Sequence, residues 1–152
     1  MIPALIQVPC LPFRVLPPGI HRTTLEEIAE RFATNARRKE LFGGFRAVVA
    51  ALQISGCSSI YLDGSFASEK PSPEDYDGCW DPAGVDVTKL DPVLLDFTKQ
   101  RAAQKRKYRG EMFIATVTEI SGKTFLDFFQ TEKSTGAQKG ILLVQSPNRT
   151  GI

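Results

Sequence analysis

The sequence predicts an α/β protein of the α+β kind, in which helices flank one mixed sheet and an extended N-terminal arm precedes the domain. Segments with apolar residues at helical spacing alternate with short β-prone runs, and glycine and proline mark the boundaries between them. The 152 residues are 42% hydrophobic and 24% charged, which is the size and composition of one globular domain. We therefore predict a single domain over residues 1–152.

The sequence predicts an extended arm at the start of the chain and a flexible tail at its end. Residues 1–22 form an arm that prolines interrupt repeatedly and that ends in Leu16-Pro17-Pro18-Gly19-Ile20-His21. Because this arm is rich in apolar side chains, we expect it to pack on the domain. Residues 146–152 are expected to form a flexible tail.

Four helices are predicted. Thr24-Leu25-Glu26-Glu27 has the pattern of a capping box, which starts a helix that ends near residue 32. A second helix is predicted over about 37–54, and Gly43-Gly44 would let it bend or let another element approach it closely. The apolar spacing predicts a long helix over about 90–108 and a short one over 125–130.

Four strands are predicted from runs rich in β-branched and aromatic residues. They cover residues 59–63, 75–81, 111–119 and 141–145. The segment 66–74 contains Pro71 and Pro73 and is expected to be mostly loop. These strands would form the mixed sheet.

Composition narrows the classes of function. A net charge of +2 creates no strong basic field for nucleic acid, and no stretch approaches the roughly 20 apolar residues of a membrane span. The N-terminus lacks the basic start of a signal peptide. Three widely spaced cysteines indicate neither a metal site nor a disulfide framework. We therefore expect a cytoplasmic protein without membrane contact.

The most informative region is Gly64-Ser65 followed, after nine residues, by Asp75-Tyr76-Asp77. Because side chains alternate along a strand, Asp75 and Asp77 point to the same face. Two close carboxylates suit Mg²⁺ or Mn²⁺, hard ions that take oxygen ligands together with substrate phosphates. Gly64 would let a phosphate approach the backbone, and Ser65 offers a hydroxyl and an amide. The region therefore predicts a site for a nucleoside triphosphate.

A second signal is a cluster of basic residues near the end of the predicted long helix. Its members are Arg101, Lys105, Arg106, Lys107 and Arg109. Arg101 and Lys105 are one helical turn apart and could hold a triphosphate. Arg106 and Arg109 could contact an RNA backbone. The alternative interpretation is a solvated helix face.

The motif of a hydrophobic residue, Gly-Ser and then Asp-x-Asp resembles the signature of the DNA polymerase β-like nucleotidyltransferase superfamily. A wider resemblance, over residues 16–145, is to a family of small, uncharacterised bacterial nucleotidyltransferase-like proteins. The segments that carry it include Gly64-Ser65-Phe66, Asp77-Gly78-Cys79-Trp80-Asp81-Pro82, Arg101-Ala102-Ala103-Gln104-Lys105 and Phe125-Leu126-Asp127-Phe128-Phe129. This resemblance implies a nucleotidyltransferase-like sheet and, for some members, a helix-turn-helix partner in a toxin–antitoxin setting.

The superfamily resemblance also implies a third carboxylate on a neighbouring strand. Glu111 is the first choice because it starts the third predicted strand, directly after Gly110. Asp96 is the second choice although it falls on a predicted helix, and Glu119 is the third because it falls at the far end of the strand. If none of them joined the pair, two-metal catalysis would be in doubt.

The sequence therefore favours an enzyme that moves a nucleoside monophosphate from a nucleoside triphosphate to a protein or tRNA. Asp75, Asp77 and Glu111 would bind metal and act in catalysis, and Gly64 and Ser65 would hold the phosphates with the basic pair described above. The alternative is a degenerate member of the fold that binds nucleotide or protein without catalysis.

Two other assignments fit the sequence poorly. Asp75-Tyr76-Asp77-Gly78 does not follow a buried strand, as the nucleophile motif of haloacid-dehalogenase-like phosphatases must, and its later positions do not match a calcium loop. We also interpret Phe125, Phe128 and Phe129 as core residues and not as a surface for base stacking.

Overall fold

The computed structural model describes residues 1–133 and 135–146, and within them it has one five-stranded mixed sheet with helices packed against it. The strands, in chain order, are β1 (Gly19–Thr23), β2 (Ser59–Asp63), β3 (Tyr76–Trp80), β4 (Gly110–Ile114) and β5 (Gly140–Gln145). Their order in the sheet is β1-β5-β2-β3-β4. The two outer pairs are parallel and the two inner pairs are antiparallel. The predicted α+β class with a mixed sheet is confirmed.

The first two helices are α1 (Leu25–Phe32) and α2 (Ala36–Ile54). Thr24 caps α1 as predicted, since its hydroxyl accepts a hydrogen bond from the Glu27 amide at 3.2 Å. The carboxylate of Glu27 turns to the arm and accepts from the Ile2 amide at 3.3 Å. The arm is therefore bound to the first turn of α1.

Gly44 is the point of closest approach between α2 and the third helix. A Cβ added at Gly44 would lie 1.9 Å from the backbone oxygen of Tyr108, whereas Gly43 has no neighbour within 4 Å. Helix α2 runs through both glycines without interruption, and the prediction that another element approaches it closely is confirmed at Gly44.

The core divides between the two faces of the sheet because strand side chains alternate. One face, with Tyr76 and Trp80, packs against α1 and α2 in the larger hydrophobic cluster. The other face, with Cys79, packs against a smaller cluster that includes Phe129. Asp77 and Glu111 lie on this second face, opposite the face that packs against α1 and α2.

The arm is more regular than its prolines indicate. Its last residues form β1, which pairs with β5 in parallel, and Ile2, Val15 and Leu16 are buried. The strand is hard to recognise from sequence because β1 is short, lies at the edge of the sheet and keeps most of its residues exposed. Of the predicted tail, Ser146 hydrogen-bonds to the carbonyls of Ser58 and Cys57, and residues 147–152 lie outside the described part of the chain.

The predicted long helix over 90–108 is wrong in its first half. The structure has a short 3₁₀ segment there, Pro92–Leu95, which follows another at Val87–Lys89 and precedes α3 (Thr98–Tyr108). Aspartate side chains explain the breaks, because Asp91 accepts from the Val93 amide and Asp96 from the Thr98 amide, both at 3.0 Å. Such local bonds compete with helical ones.

The start of α3 is also unusual, because Lys99, Gln100 and Arg101 have left-handed backbone angles, with φ between 50° and 61°. The regular right-handed turns follow from Ala102 onward. This change of direction places the Arg101 side chain over β4, as described below.

The third predicted strand is shorter than expected. Strand β4 ends at Ile114, and the chain then turns so that the amides of Phe125 and Leu126 donate to the carbonyls of Val117 and Ala115. Phe125 and Leu126, whose amides form these bonds, are the first two residues of α4 (Phe125–Phe128). Glu119 consequently lies in a turn and not on a strand. No helix in the described part of the chain is long and apolar enough to cross a membrane.

Candidate active site

Three carboxylates meet at one end of the sheet, where β3 and β4 begin. Asp77 and Glu111 are paired positions of the parallel ladder between these strands, and Asp75 lies one residue before β3 on the same face as Asp77. Each of the three offers a carboxylate oxygen within 4.8 Å of the other two. The structure therefore brings together the three residues that the sequence selected as possible metal ligands.

The two other candidates for the third carboxylate lie outside this cluster. Asp96 accepts hydrogen bonds from the amide and hydroxyl of Thr98, at 3.0 and 2.6 Å. Glu119 accepts from the Ser121 amide at 2.7 Å in the turn after β4. Both carboxylates stabilise local turns.

Gly64 brings the loop after β2 against the carboxylate cluster. Its φ is +81°, and an added Cβ would lie 2.8 Å from Oδ2 of Asp77. Ser65 begins a 3₁₀ turn, Ser65–Ala67, and among the described residues its amide and hydroxyl have no hydrogen-bond partner. Two donors beside the carboxylates are therefore available for an external oxygen atom.

The side chain of Arg38 fixes the loop after β2 through hydrogen bonds, and the sequence did not indicate this role of Arg38. Its guanidinium, 3% exposed, donates to the carbonyls of Phe66 at 2.7 Å and Ser68 at 2.8 Å, and also to that of Lys70. A buried arginine that donates to several carbonyls fixes a loop path that side-chain packing alone would not. The apolar spacing of α2 did not indicate that the Arg38 side chain is buried.

Burial and mutual repulsion raise the pKa values of Asp75 and Asp77. Burial raises the pKa of Asp77 to about 8, and the hydrogen bond with Glu111 and the charge of Asp75 add to the shift. Burial also raises the pKa of Asp75, and the charge of Glu111 contributes. For Glu111, burial acts in the same direction, but hydrogen bonds from Lys105, Asp77 and Arg101 outweigh it and lower the pKa. Asp77 therefore keeps a proton near neutral pH that a cation could replace.

Arg101 and Lys105, predicted to hold a triphosphate, both contact Glu111. The shortest distances to its Oε1 are 3.0 Å from Nη2 of Arg101 and 3.0 Å from Nζ of Lys105. Two other basic residues of the cluster pair away from the carboxylates, Lys107 with Asp91 and Arg109 with Glu40. Two cations therefore neutralise one carboxylate of the three.

A fourth carboxylate, Asp63, lies beside the cluster together with Lys139. Asp63 is the last residue of β2 and pairs with Asp77 in the sheet, and Nζ of Lys139 is 3.2 Å from its Oδ1. Burial raises the pKa of Asp63, although the charge of Lys139 acts against the shift. The sequence signal was the position of Asp63 directly before Gly64, but its partner depends on the sheet order that brings β5 beside β2.

A cavity of about 710 Å³ opens over these groups. Its polar part includes Asp63, Gly64, Ser65, Asp77, Arg101 and Glu111, and its apolar part includes Phe113, Phe125, Phe128 and Phe129. Asp75 and Lys105 are not part of this lining. The volume lies within the range of about 300–1,000 Å³ that is typical of small-molecule sites.

The chain belongs to a family of unknown function, DUF6932, whose model matches residues 11–145. No curated protein and no solved structure matches the chain. The geometry of the site is therefore the main basis for a functional proposal.

Proposed function

We propose that this member of a family of unknown function is a metal-dependent nucleotidyltransferase, which moves a nucleoside monophosphate from a nucleoside triphosphate to a hydroxyl group of a protein or tRNA. The observation that carries the proposal is the cluster of Asp75, Asp77 and Glu111, whose carboxylate oxygens lie within 4.8 Å of one another. Carboxylates that converge in this way beside a cavity suit a divalent cation and the phosphates it binds.

The donor set fits Mg²⁺ or Mn²⁺. All three groups offer oxygen atoms, and the raised pKa of Asp77 means that its negative charge lacks sufficient compensation from the protein. When bound, the ion would polarise the transferred phosphoryl group and neutralise charge on the leaving pyrophosphate.

The residues around the cluster would hold the triphosphate. The amide and hydroxyl of Ser65 point to no other described residue and would donate to phosphate oxygens, while Gly64 keeps the backbone close to Asp77. The side chains of Arg101 and Lys105 would leave Glu111 and bind the phosphates, because both are partly exposed and need only reorient.

In the transfer step the acceptor oxygen forms a bond to the α-phosphorus, and the bond from that phosphorus to the bridging oxygen breaks. Pyrophosphate leaves with the electron pair of the broken bond. Glu111 would accept the proton of the acceptor hydroxyl once Arg101 and Lys105 had moved to the phosphates. While Arg101 and Lys105 remain bound to Glu111, its lowered pKa keeps this carboxylate ionised, and their departure would make it a stronger base.

A second candidate function is a catalytically degenerate module that binds nucleotide or protein. The observation that favours it is the pairing of Arg101 and Lys105 with Glu111, because a carboxylate with two internal counterions needs no metal. Such a protein would bind phosphates at Ser65 and the basic pair without transferring a nucleotide.

The cellular setting is also part of the proposal. A cytoplasmic location agrees with three free thiols, two of them buried. A helix-turn-helix protein is the proposed partner in a toxin–antitoxin or phage-defence system. Co-expression with the product of a neighbouring helix-turn-helix gene, followed by purification on a tag placed on this chain, would test that partner.

The catalytic proposal is tested by incubating the protein with each α-³²P-labelled nucleoside triphosphate, Mg²⁺ or Mn²⁺, and cell lysate. We expect label on a protein or tRNA, and its loss in the double variant Asp75→Ala with Asp77→Ala. Asp86→Ala is the matched control, because its carboxylate is exposed and, among the residues that the structure describes, accepts hydrogen bonds only from Thr88. Metal-independent binding of triphosphate without transfer would favour the degenerate module.

A further inference from the structure

The carboxylates and the aromatic residues of the cavity occupy consecutive rows on one face of the sheet. Asp63, Asp77 and Glu111 are paired across β2, β3 and β4. Two residues further along the same strands, the next row on this face consists of Tyr61, Cys79 and Phe113. Alternation places the rows about 7 Å apart. A ligand whose phosphates lie at the first row would reach the second row with its remaining part.

Helix α4 covers this second row with phenylalanines. The rings of Phe113 and Phe125 stack with their centroids 4.4 Å apart and their planes at 16°, and Phe129 is buried beneath them. Phe125 and Phe128 are only partly buried and line the cavity. Both rings pack against the smaller hydrophobic cluster, and their exposed parts can contact a ligand in the cavity.

Arg101 connects the two parts of the cavity. Its Nη2 is 3.0 Å from Oε1 of Glu111, and its guanidinium carbon is 5.3 Å from the centroid of the Phe113 ring. The positively charged group for a phosphate therefore lies directly beside the aromatic wall. A ligand with phosphates at one end and a flat, apolar ring system at the other matches this arrangement of charge and aromatic surface.

We propose that Phe125 and Phe128 form a stacking surface for the base of the donor nucleotide. This inference rests on the proposed function and replaces our interpretation of these rings as core residues alone. One face of Phe125 is already used by Phe113, Phe128 contacts Phe129 edge to face, and Nζ of Lys133 lies 5.9 Å from the centroid of the Phe128 ring. A base would therefore contact the parts of Phe125 and Phe128 that line the cavity. Base–aromatic stacking contributes about 5- to 100-fold in affinity and accepts any base.

The test compares ligands that share phosphates but differ in the presence of a base. Calorimetric titrations of the full chain with Mg²⁺ would use inorganic tripolyphosphate and the α,β-methylene analogues of the four nucleoside triphosphates, which cannot transfer the nucleotide. We expect at least one analogue to bind about 5- to 100-fold more tightly than tripolyphosphate. Phe128→Ala should remove most of this difference, and Phe128→Trp should keep it.

Phe97→Ala is the matched control. Phe97 also stacks near Phe113, at 6.2 Å between centroids and 14° between planes, but it does not line the cavity. We expect its affinities to stay within about 2-fold of wild type. The comparison of ligands on the wild-type chain remains informative even if Phe128→Ala does not fold.

The possible outcomes separate this inference from the proposed function. Metal-dependent binding of tripolyphosphate without any gain from a base would overturn the stacking surface and leave the proposed function standing. An absence of binding by every ligand would overturn both. A Phe128→Ala variant that loses transfer but keeps the affinity for the analogues would assign the aromatic surface to the acceptor, and so contradict our inference.

Discussion

The guanidinium of Arg38 donates a 2.7 Å hydrogen bond to the backbone oxygen of Phe66, on the loop that carries Gly64 and Ser65. The same side chain also bonds to the carbonyl of Phe32, at the end of α1. One buried cation therefore ties the candidate phosphate loop to two helices. A lysine has the charge of arginine but not its planar set of donors, so it would satisfy fewer of these carbonyls.

We predict that Arg38→Lys lowers the free energy of unfolding by about 2–4 kcal/mol, because several buried carbonyls lose a charged donor. It should also weaken tripolyphosphate binding, since the loop is no longer held beside Asp77. Urea denaturation and calorimetry measure the two effects. Arg46→Lys is the control, because Arg46 is exposed on the same helix, and we expect a change within about 0.5 kcal/mol. Equal effects in both variants would contradict this role of Arg38.

A second prediction concerns pH and Asp77. Its pKa is raised from 3.8 to about 8, so between these values the folded protein binds a proton that the unfolded chain has released. The stabilisation of the folded protein by the protonated Asp77 is therefore complete below about pH 4 and is lost as the pH rises towards 8. In EDTA, we expect thermal stability to fall from pH 6 to pH 8.

Asp77→Asn should flatten this decline and, at pH 8 in EDTA, stabilise the protein by about 1 kcal/mol or more. Groups that do not interact with Asp77 are common to both proteins, and their titration cancels in the comparison. Addition of Mg²⁺ should stabilise the wild type and not the variant. A slope that is the same in both proteins would show that Asp77 is ionised throughout the range.

The glycines give a third prediction, because three of them differ in what an added Cβ would meet. At Gly43 it meets nothing within 4 Å, so Gly43→Ala should stabilise α2 by about 0.5–1 kcal/mol. At Gly44 it would lie 1.9 Å from the Tyr108 oxygen, so Gly44→Ala should be strongly destabilising. Chemical denaturation of the two neighbouring variants provides an internally matched pair.

Gly64→Ala should combine strain with loss of function. Its φ of +81° costs an alanine about 1 kcal/mol, and the Cβ would displace Asp77. We therefore expect a modest loss of stability and a much larger loss of nucleotide transfer. If transfer stayed at the wild-type level, the close contact between the loop and Asp77 would have no catalytic importance.

A fourth prediction concerns the buried pair of Asp63 and Lys139, whose side chains are 6% and 19% exposed. Lys139→Met leaves Asp63 without its counterion and should destabilise the protein by about 1–3 kcal/mol at pH 7. The loss should be smaller at pH 5, where Asp63 is protonated more easily. The double variant Asp63→Asn with Lys139→Met should recover stability, and additive effects in this cycle would exclude coupling between the two groups.

Local periodicity predicted most of the fold. The helices near 25–32 and 37–54 and the strand over residues 59–63 agree with the structure to within about one residue, because each has a full apolar stripe or alternation. The prediction of a helix over 90–108 was wrong in its first half because Asp91 and Asp96 bind nearby amides, an effect that a hydrophobic pattern does not contain. Its second half agrees with α3. Strand β1 was missed because its partner, β5, is more than a hundred residues away in the chain.

The residues of the candidate site likewise include some that the local sequence pattern predicted and others that it did not. Alternation was sufficient to place Asp75 and Asp77 on one face, and the start of the next strand indicated Glu111. Neither Lys139 nor Arg38 could be found in this way, because each contacts the site through tertiary packing. The pairing of Arg101 with Glu111 also depends on the left-handed turn at the start of α3, which no residue type there predicts.

The counterions of Glu111 have a thermodynamic consequence for the proposed enzyme. Arg101 and Lys105 release Glu111 only if phosphates take them, and a metal ion reaches Glu111 more readily once they have gone. Each ligand therefore removes an obstacle to the other, and by linkage the gain is reciprocal. Metal and triphosphate are then expected to bind cooperatively, so that each binds more tightly when the other is present.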